Sequence, residues 1–319
     1  MARSEGGQAV IGKLGIIGAG GVGAAVAVAA AARGAARSIV LHDVDGLRAE
    51  AEAEDLQHGT PFIGPVTVHG SADPGDLAGC DMLVLAAGRK QRPGQSRLEL
   101  AADNVALCRQ ALPVALEHAP DAVVLVVTNP VDVVTFVADD LAGLPPGRVF
   151  GSGTVLDTAR LRVLLAHELG LAAASVHASI VGEHGDSELA LWSSATAGGT
   201  PLQWWLAEAG WPADRLDQLL DQVRGAAGRI IGGKGATSTA IGFSSARIIE
   251  AVGHDERAVL NVSTAHDIEG VGPVCLSLPT IVGRHGAGPV VDVPLDDAET
   301  AALRHSAATI RAALDAVAS

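Results

Sequence analysis

Two short stretches of this chain hold residue types able to move protons and grip an acid. Val181-Gly182-Glu183-His184-Gly185-Asp186-Ser187 sets a histidine between glycines directly after an apolar run. An imidazole titrates near neutrality, and a position flanked by flexible residues suits proton exchange better than packing. Val155-Leu156-Asp157-Thr158-Ala159-Arg160 places a carboxylate and a guanidinium three residues apart on one helical face. Alone, such a pair is a surface ion pair that stabilises little. Beside a histidine it reads differently. A carboxylate fixes the imidazole tautomer and stabilises the imidazolium, while an arginine holds a substrate carboxylate through two parallel bonds. Spacing does not bring Asp157 to His184; the expectation that they meet rests on that chemistry.

A third stretch binds rather than reacts. An apolar run through Leu14, Ile16 and Ile17 leads into Gly18-Ala19-Gly20-Gly21-Val22-Gly23 and then an alanine-rich helix. A second strand at Ser38 to Leu41 follows, and Asp43 lies twenty residues beyond Gly23. Gly18 permits the tight turn, Gly20 lets backbone approach a pyrophosphate, and Gly23 allows close packing of helix on strand. The helix N-terminus adds amide donors and a positive dipole end. A carboxylate at Asp43 accepts bonds from ribose hydroxyls and repels a 2'-phosphate, so NAD is expected over NADP.

Stepping outward, the first half alternates strands and helices. Helix is expected at 50–60 and at 98–118, and strands at 66–68, 82–87 and 122–127, the last two nearly all apolar as buried parallel strands are. A cationic loop, Gly88-Arg89-Lys90-Gln91-Arg92-Pro93-Gly94-Gln95-Ser96-Arg97, follows the strand at 82–87. Such alternation builds a doubly wound parallel sheet, with ligands beyond the carboxyl ends of its strands. Gly18, Asp43, Gly88 and Asn129 all fall there. The turn-rich segment 143–153, with Leu144-Pro145-Pro146-Gly147, marks a domain boundary. The organisation expected is a polar tail at 1–12, a dinucleotide-binding domain at 13–151 and a substrate domain at 152–319. In the latter we expect helices at 154–169, 214–231, 237–252 and 298–317, and strands at 175–181, 258–262 and 274–281.

Length and charge set the outer limits. A chain of 319 residues accommodates two domains with sizeable cores. A formal charge of -14 disfavours nonspecific binding to nucleic acid and anionic membranes. Cys80, Cys108 and Cys275 are odd in number, widely spaced and without a CxxC pair, which suggests neither disulfides nor a thiolate metal site and fits a reducing cytosol. The nineteen uncharged residues from Leu14 to Ala32 could mimic a signal peptide or membrane span. Their Gly and Ala content is weakly hydrophobic, and their spacing makes sense as a phosphate cradle.

Together Gly18 to Gly23, Thr128-Asn129-Pro130-Val131-Asp132, Leu156-Asp157-Thr158-Ala159-Arg160 and Gly182-Glu183-His184-Gly185-Asp186 resemble, in order, the motifs of the lactate/malate dehydrogenase family. The resemblance implies an α/β protein: an N-terminal Rossmann doubly wound parallel sheet followed by an α+β catalytic domain. It implies that His184 is the acid/base, that Asp157 orients it, and that Arg160 holds the substrate carboxylate. Arg97, on the loop, would close over the substrate and stabilise charge on its carbonyl oxygen. Asn129 matches the residue between nicotinamide and substrate. Gly18, Gly20, Val22, Gly23, Asp43, Arg48, Gly88, Arg89, Gln110, Val127, Thr128 and Ser152 fall where the family contacts NAD.

Gln91 stands where malate-specific members carry arginine to pair a second carboxylate. A neutral amide leaves that charge uncompensated, at a cost of several kcal/mol, whereas the methyl of pyruvate fits. Thr237 matches a residue lining the same pocket. The expected reaction is therefore hydride transfer between NADH and pyruvate giving L-lactate, with malate or another 2-hydroxyacid as the rival substrate. A non-enzymatic NAD-binding protein is the rival of another class, disfavoured because all four reactive residues are intact. An NAD-using glycosidase would need a metal site, and no clustered ligands are evident, so no metal is expected. Arg162 and His177 correspond to family positions that bind fructose 1,6-bisphosphate across a subunit interface, implying activation by it. A cytoplasmic homotetramer is the implied form. Gln95 departs from the family, replacing a more usual acidic residue in the loop.

Overall fold

A computed structural model describes residues 10–89, 97–212 and 214–318, with Arg97 and Ala318 in backbone only. In chain order the first half forms β1 (Ile11–Ile17), α1 (Gly21–Ala32), β2 (Ala36–His42), α2 (Gly46–Gly59), β3 (Thr67–Ser71), β4 (Met82–Leu85), α3 (Arg97–His118), β5 (Val123–Val126), α4 (Val131–Ala142) and β6 (Val149–Gly151). Strands β3, β2, β1, β4, β5 and β6 lie side by side in that order, all parallel. The order reverses between β1 and β4, which opens a crevice at their carboxyl ends, where ligands of such sheets lie. β4 and β5 are wholly buried because one apolar cluster covers each face of the sheet. β1 begins at Ile11, which is buried and lies within the segment expected as a polar tail. The Gly/Ala run that could have mimicked a membrane span is divided between β1 and α1. Among the described residues no helix is long and apolar enough to cross a membrane.

The second half contains α5 (Val155–Leu169), β7 (Val176–His177), β8 (Ile180–Val181), β9 (Leu189–Ala190), β10 (Thr196–Ala197), β11 (Thr200–Pro201), α6 (Leu202–Ala209), α7 (Arg215–Arg224), α8 (Ala226–Lys234), α9 (Thr239–Gly253), β12 (Ala258–Ile268), β13 (Gly272–Gly283), β14 (Gly286–Val290) and α10 (Asp297–Ala318). The antiparallel strands β12, β13 and β14 extend the first sheet beyond β6, through the pair Ser263 and Gly151. The architecture is thus α/β with a doubly wound parallel sheet and a C-terminal α/β part, as expected.

Three local expectations change. The strand expected at 175–181 is split, with β7 pairing β10 and β8 pairing β9. Side chains of α5 take its middle backbone groups: Arg162 Nε donates to Ala178 O, and Thr158 Oγ1 accepts from Ile180 N. Those groups are then unavailable to a neighbouring strand. The helix expected at 214–231 breaks at Gly225, where a residue costly in a helix interior separates α7 from α8. β14 was unforeseen because Gly286-Ala287-Gly288-Pro289 has low strand propensity. It forms where backbone meets backbone: a Cβ on Gly147 would lie 1.8 Å from Ala287 O.

Candidate active site

The glycines of the first turn are fixed by contact. Gly18 has φ +103°, and a Cβ there would lie 2.6 Å from Ala87 N on the adjacent strand end. A Cβ on Gly23 would lie 1.9 Å from Gly18 O, so α1 can sit against the turn only without one. At Gly20 a Cβ would meet nothing within 4 Å: this is open space beside the amides at the start of α1. Asp43, at the end of β2, is held in place. Its Oδ2 accepts from Ala19 N at 2.7 Å and its Oδ1 from Asp45 N at 3.0 Å. An ionised carboxylate has about four acceptor positions, so two bonds leave room for hydroxyls. Arg48 Nε donates to Ala19 O at 3.0 Å, tying α2 to the same turn. An open cradle of amides with a restrained carboxylate beside it fits the pyrophosphate and adenosine ribose of NAD.

At the neighbouring strand ends, Thr128 Oγ1 donates to Leu85 O at 3.1 Å and Ala87 O at 2.8 Å. Asn104 Oδ1 accepts from Arg89 N at 2.7 Å, while its Nδ2 donates to Asn129 O at 2.7 Å. Asn104 therefore joins the base of the cationic loop to Asn129. Val127 and Ser152 are buried, and Ser152 N donates to Val126 O at 2.8 Å. Val22 is half-buried, and Gln110 is exposed on α3, six residues beyond Asn104. Gln91 and the Arg97 side chain lie outside the described residues. Thr237 is half-buried in the connection from α8 to α9.

The proton-bearing groups converge within the second half of the chain. His184 Nδ1 lies 2.6 Å from Asp157 Oδ2, and Arg160 Nη1 donates to Asp157 Oδ1 at 2.7 Å. Asp157 is 3% exposed and Arg160 15%, so this is not a surface ion pair. With Nη1 bound to Asp157, the remaining guanidinium donors are left for a ligand. The loop carrying His184 is fastened by three elements. His184 N donates to Asp132 Oδ2 at 2.7 Å, Glu183 N to Ser306 Oγ at 2.7 Å, and Gly182 exchanges backbone bonds with Ser277. Ser263 Oγ in turn donates to Asp132 Oδ1 at 2.6 Å. Asp132 belongs to α4, directly after Asn129 and Pro130, so one carboxylate ties the histidine loop to the cofactor half.

Charge and burial divide the carboxyl groups. The Asp157 anion raises His184 to about 9, outweighing the opposing effect of burial. Burial alone would raise Asp157, but the charges of and bonds to His184 and Arg160 hold it below the usual carboxylate range. Asp132 is pushed up to about 6 by burial, moderated by its bonds from Ser263 and the His184 amide. Glu188, 2% exposed, is raised to about 8 by burial and then by the charge of Asp157. Asn104, Asp132 and Glu188 are functional neighbours to which the sequence motifs assign no role. Each carried a signal: Asp132 and Glu188 are charges opening apolar elements, and Asn104 interrupts a helical face. Metal-ligating residue types are not clustered in the sequence. The fold brings together Asp157, His184 and Glu188, whose ligand-type atoms lie within 4.8 Å of one another. The closest approach within that set is committed to the bond between His184 and Asp157.

Arg162 and His177, expected to form an anion site, stand on elements that pack together, α5 and β7. Arg162 reaches Ala178 O at 3.0 Å, next to His177, which is exposed on β7. Burial lowers Arg162 from the usual guanidinium range.

A dinucleotide cradle and a histidine–carboxylate–arginine set, assembled on one parallel sheet and the part that extends it, define an NAD-dependent oxidoreductase. Models of the lactate/malate dehydrogenase NAD-binding domain and of its alpha/beta C-terminal domain match residues 12–151 and 154–319. The chain belongs to the lactate/malate dehydrogenase family. It is 47% identical to an L-lactate dehydrogenase of Bifidobacterium animalis subsp. lactis, over 94% of this chain and 95% of the relative. It is 48% identical to an L-lactate dehydrogenase of Thermus aquaticus, over 96% of this chain and 99% of the relative. Among solved structures, a lactate dehydrogenase from a Medee basin deep-sea metagenome library superposes with a TM-score of 0.92 at 33% identity, covering 97% of this chain and 100% of that one. A minor L-lactate dehydrogenase from Enterococcus mundtii gives 0.91 at 36% identity, covering 96% and 98%.

Proposed function

We propose that this enzyme is an L-lactate dehydrogenase in which His184 is the acid/base. The observation that carries the proposal is the 2.6 Å contact of His184 with a buried Asp157 that also holds Arg160. Because Nδ1 faces Asp157, the other ring nitrogen, Nε2, is left to exchange a proton with substrate. When bound, NADH supplies the hydride. At neutral pH His184 is protonated and donates from Nε2 to the carbonyl oxygen of pyruvate; in the reverse direction the neutral ring accepts the hydroxyl proton of L-lactate. Asp157 stabilises the imidazolium throughout. Arg160 uses its free donors on the substrate carboxylate. Arg97 stabilises charge on the carbonyl oxygen once the loop closes and excludes water.

Preference for pyruvate is assigned to Gln91, which offers no cation to a second carboxylate, and to Thr237 in the same pocket. Asn129 contacts substrate and nicotinamide. Gly18, Gly20, Val22, Gly23, Asp43, Arg48, Gly88, Arg89, Gln110, Val127, Thr128 and Ser152 hold NAD. The division of labour runs 13–151 for cofactor and 152–319 for substrate. The Arg162 guanidinium on α5, with His177 on the neighbouring β7, supports binding of fructose 1,6-bisphosphate at an interface of a homotetramer, and the cytoplasm is the compartment that suits three unpaired cysteines. Steady-state rates with pyruvate and with oxaloacetate, each with and without fructose 1,6-bisphosphate, test the reading. Preference for oxaloacetate overturns the substrate assignment, and rates indifferent to the bisphosphate overturn the regulatory one. His184→Asn is expected to abolish turnover while NADH still binds.

A further inference from the structure

Glu188 is a buried carboxyl that the scheme above leaves unused. It directly precedes β9, and its backbone is occupied: its amide donates to Gly185 O at 3.3 Å, and its carbonyl accepts from Arg224 Nη2 at 2.6 Å. Its side chain is not. Oε1 is buried with no hydrogen-bond partner, and the carboxyl lies within 4.8 Å of the ligand-type atoms of both His184 and Asp157. A buried, unpaired acceptor is expensive to keep charged, so the carboxyl is expected to be neutral at neutral pH. The groups facing it are Asp157 and Arg160 from α5, His184 from the histidine loop, and Arg224 from α7. Glu183, Asp186 and, from α10, His305 line a cavity of about 380 Å³ on which Glu188 also borders.

We propose that Glu188 is a positioning residue for proton transfer, its carboxyl setting how strongly His184 holds its proton. While neutral, it leaves Asp157 and, more weakly, Asp132 as the anions acting on the imidazole. Once ionised, it adds a further negative charge a few ångströms away and makes the imidazolium harder to discharge. The loss of the Glu188 proton and that of the His184 proton are thus steps of one coupled titration. The direction agrees with the electrostatics: the Glu188 charge raises His184, and the His184 charge lowers Glu188.

The proposal rests on His184 exchanging the substrate proton, so its test reads the histidine directly. In the wild-type protein, NMR titration of the His184 ring is expected to show two steps over the alkaline range; a single-step curve overturns the proposal whether or not the enzyme turns over. In Glu188→Gln the first step should vanish and the alkaline limb of log kcat/KM for pyruvate should move down by roughly one pH unit. Glu188→Asp, which keeps an ionisable group, should return the limb toward its wild-type position. Equal profiles for wild type and Glu188→Gln, or equal displacement in both variants, would mean that the charge at residue 188 does not act on His184. Failure of the acid/base reading shows separately, as residual turnover in His184→Asn.

Discussion

Replacing Asp157 by asparagine removes the charge that governs the site while keeping its shape. In the native protein His184 is raised from 6.5 to about 9, principally by the Asp157 anion, with burial opposing. At about 1.36 kcal/mol per unit this is a preference for the imidazolium of roughly 3 kcal/mol, an upper figure because a quarter of the imidazole is exposed. With the anion gone and burial retained, His184 should fall to its ordinary value or below. At pH 7.5 the protonated fraction would drop from nearly all to about one tenth, a roughly tenfold loss from protonation alone. The amide also loses its hold on the imidazolium during transfer, so the total loss in pyruvate reduction should be on the order of a hundredfold or more. The sign is distinctive. A raised group supports reduction below its folded value, so the wild-type rate falls as pH rises through about 9, and the variant's limb should lie about two and a half pH units lower or more. The same linkage predicts that the stability contributed by the His184–Asp157 pair, complete below 6.5, is lost as pH rises through 9, so that wild type should lose more stability than the variant in that window. The assay is kcat/KM for pyruvate from pH 5 to 10, with thermal unfolding over the same range. A variant slowed uniformly, with its alkaline limb still near 9, would refute the assignment of that limb to His184.

Gly23→Ala places a Cβ 1.9 Å from Gly18 O, so α1 must move off the turn. NADH affinity, followed by quenching of protein fluorescence, should weaken about tenfold or more, and unchanged affinity would contradict the cradle. Asp43→Ser removes the anion beside Ala19 N and should narrow the preference for NAD over NADP roughly tenfold or more in kcat/KM; an unaltered ratio would take Asp43 out of cofactor discrimination. Gln91→Arg should move substrate preference toward oxaloacetate by about two orders of magnitude, measured as the ratio of kcat/KM values, and constant discrimination would contradict the pocket assignment.

The parts of this protein that were legible in its sequence are those in which one local pattern dictates one local outcome. Gly18, Gly20 and Gly23 can be read because a strand, a tight turn and a closely packed helix leave no room for a Cβ at two of them. β4 and β5 can be read because a strand covered on both faces must be apolar throughout. Non-local competition defeats the same reasoning elsewhere. The segment at 175–181 has the composition of one strand, but Thr158 and Arg162, themselves distant in sequence, claim its backbone and divide it. Nothing within Gly286 to Val290 announces a strand, which exists because Gly147 allows β14 to close on the sheet. The cationic loop was legible as a motif, yet the residue anchoring its base, Asn104, lies two turns into α3 and became visible only through its bonds to Arg89 and Asn129.

Asp132 and Glu188 carry this furthest, because their roles follow from environments that no spacing encodes. Three carboxyls surround His184, and the fold gives each a different state. Asp157 is buried but lies between a guanidinium and the imidazole, so it stays ionised. Asp132 is buried with two donors, which hold it to about 6; its oxygens accept from the His184 amide and Ser263, locating the ring, and its charge adds to that of Asp157 in raising the imidazole. Glu188 is buried with Oε1 unpaired, and it reaches about 8. Groups of one chemical type whose environments separate their proton affinities are the usual means of giving acid and base work to different side chains. Here the separation is made by neighbours drawn from α4, α5, α7 and β12. Moving any one of them by an ångström would change the proton affinity of His184 without altering a single residue of its own motif.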